Sequence, residues 1–450
     1  MKRLRYGASL AAGGSLSVNR FIRALLLCLF LAPLSAMAQD FPRLGGIMIG
    51  SPHDYWDPTY QQNIAKLDVA ILSVYPGWGQ GRNTDMVRTV QHIKSLNPKI
   101  RIFLYVIMES AKKPASTAWL PLEQKLDSAK WWLYGSGSNL VLSDYGRDTY
   151  ILNLTQFAPT DSDGLRLNQW FPRYVAREFA APNPHIDGFF TDNVFWKPRR
   201  DGDWNRDGKI DSNNDETVGR WFREGYRTYI TELKKAMPGK LQIANAADWG
   251  DPRAVLTEYQ NQWNGGVMEG IIGKSYSIEV QADGWKHVMD RYRKTMAAFA
   301  APKLGMFNQH GAATDYQGMR YGLATCLMDD GYYTFTDSAS EYRGVRWFDE
   351  FDVNLGAAVS PPQTTAWKSG VFRRDFQNGI ALVNPKGNGQ KTVDLDGEYV
   401  LIKGTQAPSV NTGARVRQVT LRDRDGLILK RVNPVRRPAA PGGVQIESAG

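Results

Sequence analysis

The sequence predicts an α/β protein: a (β/α)8 TIM barrel followed by a small all-β domain. Three observations predict it. Between residue 43 and about residue 345, eight short apolar runs alternate with stretches of helical periodicity. Most of these runs are apolar throughout instead of alternating, as parallel strands buried on both faces are. After about residue 362 the texture changes to short alternating segments broken by Gly and Asn turns.

Residues 1–38 read as a signal peptide. Lys2, Arg3, Arg5, Arg20 and Arg23 make the start basic, "ALLLCLFLAPLSA" from Ala24 is too short to span a bilayer comfortably, and Ala36-Met37-Ala38 is a small-residue cleavage signal. A periplasmic or secreted location is therefore expected, with no stable membrane insertion after cleavage. The segment carries five of the basic residues and no acid, so its removal takes the formal charge from +10 to +5. That residual charge on a long chain argues against a nucleic-acid partner. Cys28 lies in the segment, which leaves Cys326 alone; no intrachain disulfide and no cysteine zinc site are expected. Cys326, in "YGLATCLMDD", reads as buried core.

The eight runs are "LGGIMIG" at 44, "VAILSVY" at 69, "IRIFLYVIM" at 100, "IDGFFTDN" at 186, "LQIANA" at 241, "GVMEGII" at 266, "LGMFNQ" at 304 and "YYTFTD" at 332. Between them, "TDMVRTVQHIKSLNP", "ETVGRWFREGYRTYITELKKAMPG", "GWKHVMDRYRKTMAAFAAP" and "YQGMRYGLATCLMDDG" are amphipathic and end at Pro or Gly, as helices do. An insertion around "WWLYGSGSNLVLSDYGRDTYILNLTQ" separates the third and fourth runs, and Gly-Ser-Gly predicts a hairpin turn in it. The barrel is placed at 39–361 and the all-β domain at 362–434. The Pro/Gly-rich tail, 435–450, is expected to be disordered.

Barrels of this kind build their sites at the C-terminal ends of the strands. There the sequence places Asp192 and Asn193 on the fourth run, Glu269 on the sixth, Glu109 after the third and Asp337 on the eighth. Tyr75 and Trp78 follow the second run, Trp196 the fourth, Asn245, Asp248 and Trp249 the fifth, and Asn308 lies in the seventh. A mouth ringed by carboxylates and aromatics suits glycosidic bond cleavage, where one carboxyl protonates the leaving oxygen and the other attacks or activates water. Gly188, Phe190 and Asp192 share one face by the period-two rule, as do Val267 and Glu269, so Asp192 and Glu269 are the candidate catalytic pair. The remaining ten are candidate substrate contacts. No Gly-rich phosphate loop and no convincing His/Asp/Glu zinc spacing is present, so no organic cofactor is expected.

A second acidic cluster follows the fourth run. Asp203, Asn205, Asp207, Gly208, Lys209 and Asp211 occupy positions 1, 3, 5, 6, 7 and 9 of a calcium loop, with the Lys209 carbonyl as the ligand at position 7. Position 12 departs from the motif: it is Asn214 instead of Glu. A structural Ca2+ is the expectation; the bland alternative is a solvated Asp-Gly turn.

The "IDGFFTDN" and "VMEG" strands, "LATCLMDDGYYTF" and "RRDFQNGIALVNP" together resemble the hypothetical glycosyl hydrolase 15 family, a group of secreted barrel glycosidases distinct from the glucoamylases. The resemblance spans roughly residues 42–430. It implies a carbohydrate-active barrel with Asp192 and Glu269 as the pair, followed by a β-sandwich. By analogy with related barrels, Asp192 is nucleophile or base and Glu269 the acid, with the reverse left open. The expected function is a secreted hydrolase of O-glycosidic bonds in a poly- or oligosaccharide. The alternatives are a non-catalytic carbohydrate-binding or exopolysaccharide-accessory protein on the same scaffold, and a polysaccharide-modifying transferase. No motif specifies an oligomeric state.

Overall fold

The computed structural model describes residues 40–74, 86–146, 148–245, 259–280 and 284–435. The signal segment, the tail beyond residue 435, Tyr75, Trp78, Asp248 and Trp249 lie outside them. All eight apolar runs are strands of one parallel sheet, in the order β1 (Gly45–Met48), β2 (Val69–Leu72), β3 (Arg101–Ile107), β6 (Gly188–Asp192), β7 (Leu241–Ala244), β8 (Gly265–Ile272), β9 (Leu304–Gly311) and β10 (Tyr332–Asp337). A parallel bridge between Leu44 and Tyr333 brings the first and last strands together, so the barrel is nearly closed.

Burial explains the continuous apolar runs. In β2, all four residues are fully buried, yet Val69 and Ile71 join the barrel interior while Ala70 and Leu72 join the layer beneath the helices. Both faces of the strand are dry, so neither tolerates a polar residue.

The helices around the barrel are α1 (Pro58–Ile64), α2 (Met86–Leu96), α3 (Leu120–Ala129), α4 (Leu167–Val175), α5 (Glu216–Ala236), α6 (Trp285–Ala298) and α7 (Tyr316–Cys326). Asp57, Asp215 and Asp315 cap α1, α5 and α7 by accepting from backbone N–H groups in the first turn. Val218, Phe222, Tyr226, Tyr229, Ile230 and Leu233 recur at helical spacing and form the buried stripe of α5.

The insertion between β3 and β6 holds α3, α4 and a two-stranded antiparallel piece, β4 (Ser110–Lys112) with β5 (Thr149–Ile151). Its chain turns at Ser136–Ser138, and Gly135 and Asn139 join across that turn, as the Gly-Ser-Gly signal predicts.

The C-terminal residues form one five-stranded antiparallel sheet: β11 (Phe372–Asp375), β12 (Gly379–Asn384), β15 (Asp425–Arg431), β13 (Lys391–Leu401) and β14 (Arg415–Leu421), in that order. Ile380, Leu382, Leu427 and Leu429 face a core of the sheet's own, while Ala381, Val383 and Ile428 face the main core. A buried ion pair, Arg320 to Asp425 at 3.0 Å, links α7 to β15. Arg374 of β11 donates to the carbonyls of Leu327 (3.1 Å) and Asp329 (2.6 Å) just beyond α7. Cys326 is buried, and burial pushes its thiol up to about 12. Among the described residues, no helix is long and apolar enough to cross a membrane.

Candidate active site

The site continues the barrel interior upward. Phe103, Phe190, Ile243 and Val267 belong to the interior core. Two residues further along each chain segment come Tyr105, Asp192, Asn245 and Glu269. The side-chain period of two keeps Tyr105, Asp192 and Asn245 on the inward face, at the C-terminal mouth, and Glu269 joins them from a stretch where the β8–β9 pairing is irregular.

They meet there. Tyr105 donates its hydroxyl to Asp192 Oδ2 at 2.5 Å, and the backbone N–H of Asn193 donates to Oδ1 at 2.9 Å. The Asn245 amide, at the end of the strand between the two acids, donates to Glu269 Oε2 at 2.8 Å. Tyr342, in the loop after β10, donates to Glu269 Oε1 and lies 3.5 Å from His310 Nε2. Each carboxylate is thus held by a phenol.

Burial raises the Asp192 carboxyl to about 6; the Glu269 charge adds to this, and the Tyr105, Asn193 and Asn245 bonds oppose it. Burial, followed by the adjoining carboxylate, holds the Tyr105 and Tyr342 phenols well above their ordinary range, so both remain donors. Burial, aided by Lys274, lowers His310 to about 4, so its imidazole is neutral near pH 7.

Glu269 owes its aim to an irregularity. The β8–β9 register shifts between Met268 and Ile272. Gly270, inside that bulge, has φ +58°, and a Cβ there would meet Lys274 at 2.9 Å and Tyr276 at 3.1 Å. Bulges re-aim side chains next to sites, and glycine tolerates the left-handed backbone that this one needs. The Glu269-Gly270 pair lies in this bulge.

The other sequence candidates divide. Glu109 lies beside the pair. It is 2% exposed, accepts from the Asn193 side chain at 3.4 Å, and is raised to about 7 by burial against the pull of its Ser110 and Asn193 bonds and Arg199. Asn193 has φ +58°, an uncommon conformation outside glycine, and its carbonyl accepts from Tyr226. Trp196 is turned into the core with the Arg223 guanidinium 4.0 Å above its ring. Asn308 is fully buried, accepting from Gly270 N and donating to Thr336; it supports the bulge from below. Asp337 is buried and bonded to Arg346, Ser340 and Ala339 N; burial alone raises its carboxyl, but these partners hold it below its ordinary value. Trp196 thus packs in the core, and Asn308 and Asp337 make their hydrogen bonds to the scaffold. Tyr105 and Tyr342 are absent from the sequence-derived set. The period-two rule would have found Tyr105, but nothing local marks Tyr342.

The acidic loop folds as a tight turn, Gly202 bridging to Asp211. Asp211 Oδ2 accepts from Trp204 N and Asn205 N, Asp203 Oδ2 from Gly208 N, and Asp207 Oδ1 from Lys209 N. Gly208 has φ +86°, as the turn requires. Most of the carboxylate oxygens are spent on amides. Asp203 Oδ1 is buried without a hydrogen-bond partner. Among the described residues, no group of three or more His, Cys, Asp or Glu is gathered to hold a metal ion.

The model of hypothetical glycosyl hydrolase family 15 matches residues 94–380, from α2 into β12. Similar solved structures include a GH36 α-galactosidase, AgaA, from Geobacillus stearothermophilus (11% identity, 87% of this chain and 56% of that one, TM-score 0.44). The glycoside hydrolase domain of PelA from Pseudomonas aeruginosa is another (14% identity, 68% and 99%, TM-score 0.41). A maltogenic amylase from S. marinus is a third (12% identity, 82% and 59%, TM-score 0.46). The chain thus spans little more than half the length of the galactosidase. No curated protein sequence matches it.

Proposed function

The chain belongs to hypothetical glycosyl hydrolase family 15, and from that premise we propose that it is a secreted or periplasmic hydrolase of O-glycosidic bonds in a poly- or oligosaccharide, with Asp192 and Glu269 as its paired carboxylates. The observation that carries this reading is the convergence of both acids on one mouth, Asp192 ending β6 and Glu269 in β8, with Asn245, bonded to Glu269, just after the strand between them. We take the double-displacement, retaining course for this pair.

In this mechanism Asp192, oriented by Tyr105 and Asn193, attacks the anomeric carbon. Glu269 gives its proton to the leaving oxygen as the glycosidic bond breaks. Glu269, now ionised, then takes a proton from water as that water displaces Asp192 from the sugar, and both acids return to their starting states. The neutral Tyr105 and Tyr342 hydroxyls supply hydrogen bonds without adding charge.

The N-terminal 38 residues are the basis for the extracytoplasmic location, and the antiparallel sheet is read as the small β-sandwich domain that supports the barrel. A calcium ion at the Asp203–Asp211 loop is a separate proposal, anchored on Asp203 Oδ1; it takes no part in the chemistry.

The test is Asp192→Asn and Glu269→Gln, each assayed against bacterial and plant polysaccharides by mass spectrometry of released oligosaccharides. Each substitution is expected to lower the rate by at least about 100-fold. Activity surviving in both single variants removes the assignment. Binding without product release in the unaltered chain replaces it with the accessory-protein reading. An aryl glycoside with a good leaving group assigns the roles: it rescues the variant lacking the acid and not the one lacking the nucleophile.

A further inference from the structure

We propose that Tyr145 and Tyr276 are sugar-stacking platforms on opposite flanks of the carboxylate pair, so that the substrate is a glycan chain with at least one ring on each side of the scissile bond. The position of that bond rests on the hydrolase reading above.

Both rings are open to solvent: Tyr145 is 52% and Tyr276 54% exposed. Among the described residues at the mouth, Tyr105 and Tyr342 bond to Asp192 and Glu269. Single exposed aromatics are ordinary on protein surfaces, so it is position that distinguishes this pair.

Tyr145 belongs to the insertion after β3. Its hydroxyl accepts from Arg199 Nη1 at 2.8 Å, and the neighbouring Asp144 accepts from Arg199 Nε at 2.6 Å and pairs with Arg200. The insertion is thereby tied to the loop after β6, and the ring is held at the rim. The Arg199 guanidinium also lies over the ring, 5.3 Å from its centre, which fixes its tilt and leaves the opposite face for a ligand.

Tyr276 belongs to the loop after β8. A Cβ on Gly270 would lie 3.1 Å from its ring edge and 3.1 Å from its hydroxyl. The ring therefore sits over the bulge, one residue from Glu269.

The order of strands around the barrel completes the argument. β3, β6, β7 and β8 are successive neighbours. Going round the mouth, Tyr145 comes first, then Asp192, Asn245 and Glu269 with Tyr276. The tyrosines bracket the acids. Pyranose rings present C–H faces that pack flat on aromatic rings, and a tyrosine offers a large rigid face with two torsions to fix. Platforms on both flanks would hold rings remote from the reacting bond and apply their binding energy at the cleavage point.

Affinity electrophoresis tests this, in gels cast with soluble starch, galactomannan, xylan, dextran or chitosan. The chain carrying Glu269→Gln is run beside the same chain with Tyr145→Ala or Tyr276→Ala added. At least one polysaccharide is expected to retard the parent. Each alanine substitution is expected to weaken that binding about tenfold, the scale of one lost aromatic contact. Tyr145→Phe and Tyr276→Phe are expected to restore it to within about threefold, since the ring and not the hydroxyl makes the contact. Melting temperatures equal to the parent's show that the loss is local. Retardation unchanged by both alanine substitutions, or absent from every gel, overturns the proposal. Tyrosine-dependent retardation of an unaltered chain that releases no product overturns the hydrolase reading instead and leaves the platforms in place.

Discussion

Tyr105 and Asp192 sit on adjacent strands of the barrel and share a hydrogen bond of 2.5 Å, the length of a charge-assisted O–H···O contact. It steadies the ionised acid against burial and the Glu269 charge, which together raise the Asp192 carboxyl to about 6.

Asp192 must be ionised to attack, so hydrolysis should fall as pH drops through about 6. Tyr105→Phe removes a donor to the charged form. It should move that acidic limb upward by roughly one pH unit, since a bond to a charged group is worth about 1.5–3 kcal/mol and one unit is about 1.4. A pH–rate profile of kcat/KM reads the shift; an unmoved limb would assign it to another group.

Glu109→Gln should stabilise the chain at pH 8 and change little at pH 5. Burial raises this carboxyl from 4.5 to about 7, so the folded state holds its proton more tightly than the unfolded state does. The stability this contributes is complete below about 4.5 and is lost as pH rises through about 7. Above that, the chain carries a buried charge that glutamine avoids, worth on the order of 2–3 kcal/mol. Denaturant midpoints at the two pH values measure it; equal shifts at both would contradict the buried-charge account.

Gly270→Ala should leave the barrel folded but displace Glu269. The residue lies at φ +58° and its Cβ would press on Lys274 and Tyr276. The left-handed backbone alone costs an alanine about 1–2 kcal/mol. Activity is expected to fall by about tenfold or more, since small misplacements of a catalytic group cost that much. Normal activity in a chain with an unaltered melting temperature would show that the bulge does not aim the acid.

If calcium occupies the Asp203–Asp211 loop, millimolar Ca2+ should raise the melting temperature and EDTA should reverse the rise, because an ion that binds only the folded state stabilises it. Asp203→Ala should abolish the difference. A melting temperature indifferent to both additions would leave the loop as the amide-stapled turn described above.

The barrel strands were legible because their chemistry is local: a strand dry on both faces must be apolar along its length, and all eight runs became strands of one sheet. Asp192 and Glu269 were legible for the same reason, as polar residues at the inward register where an apolar run ends. Asn308 satisfies that rule equally well, and Asp337 ends its run on the opposite face with Tyr333 and Phe335, yet both bond to the scaffold, because strand-end position does not say whether neighbours will occupy a polar group. Asn308 is consumed by Gly270 and Thr336, and Asp337 by Arg346. Tyr342 reaches Glu269 across 73 residues of sequence, a contact that exists only once the barrel has formed. The bulge at Gly270 is a property of two strands paired, not of either one.

Arg374 reaches from the antiparallel sheet to close the carbonyls below the last barrel helix, and Arg320 reaches back to Asp425. A barrel excised without its sheet would lose these bonds and open to water the apolar face that Ala381, Val383 and Ile428 cover. The two parts are therefore expected to melt together, and any transplant of the cleft onto a minimal scaffold has to carry this distant buttress along.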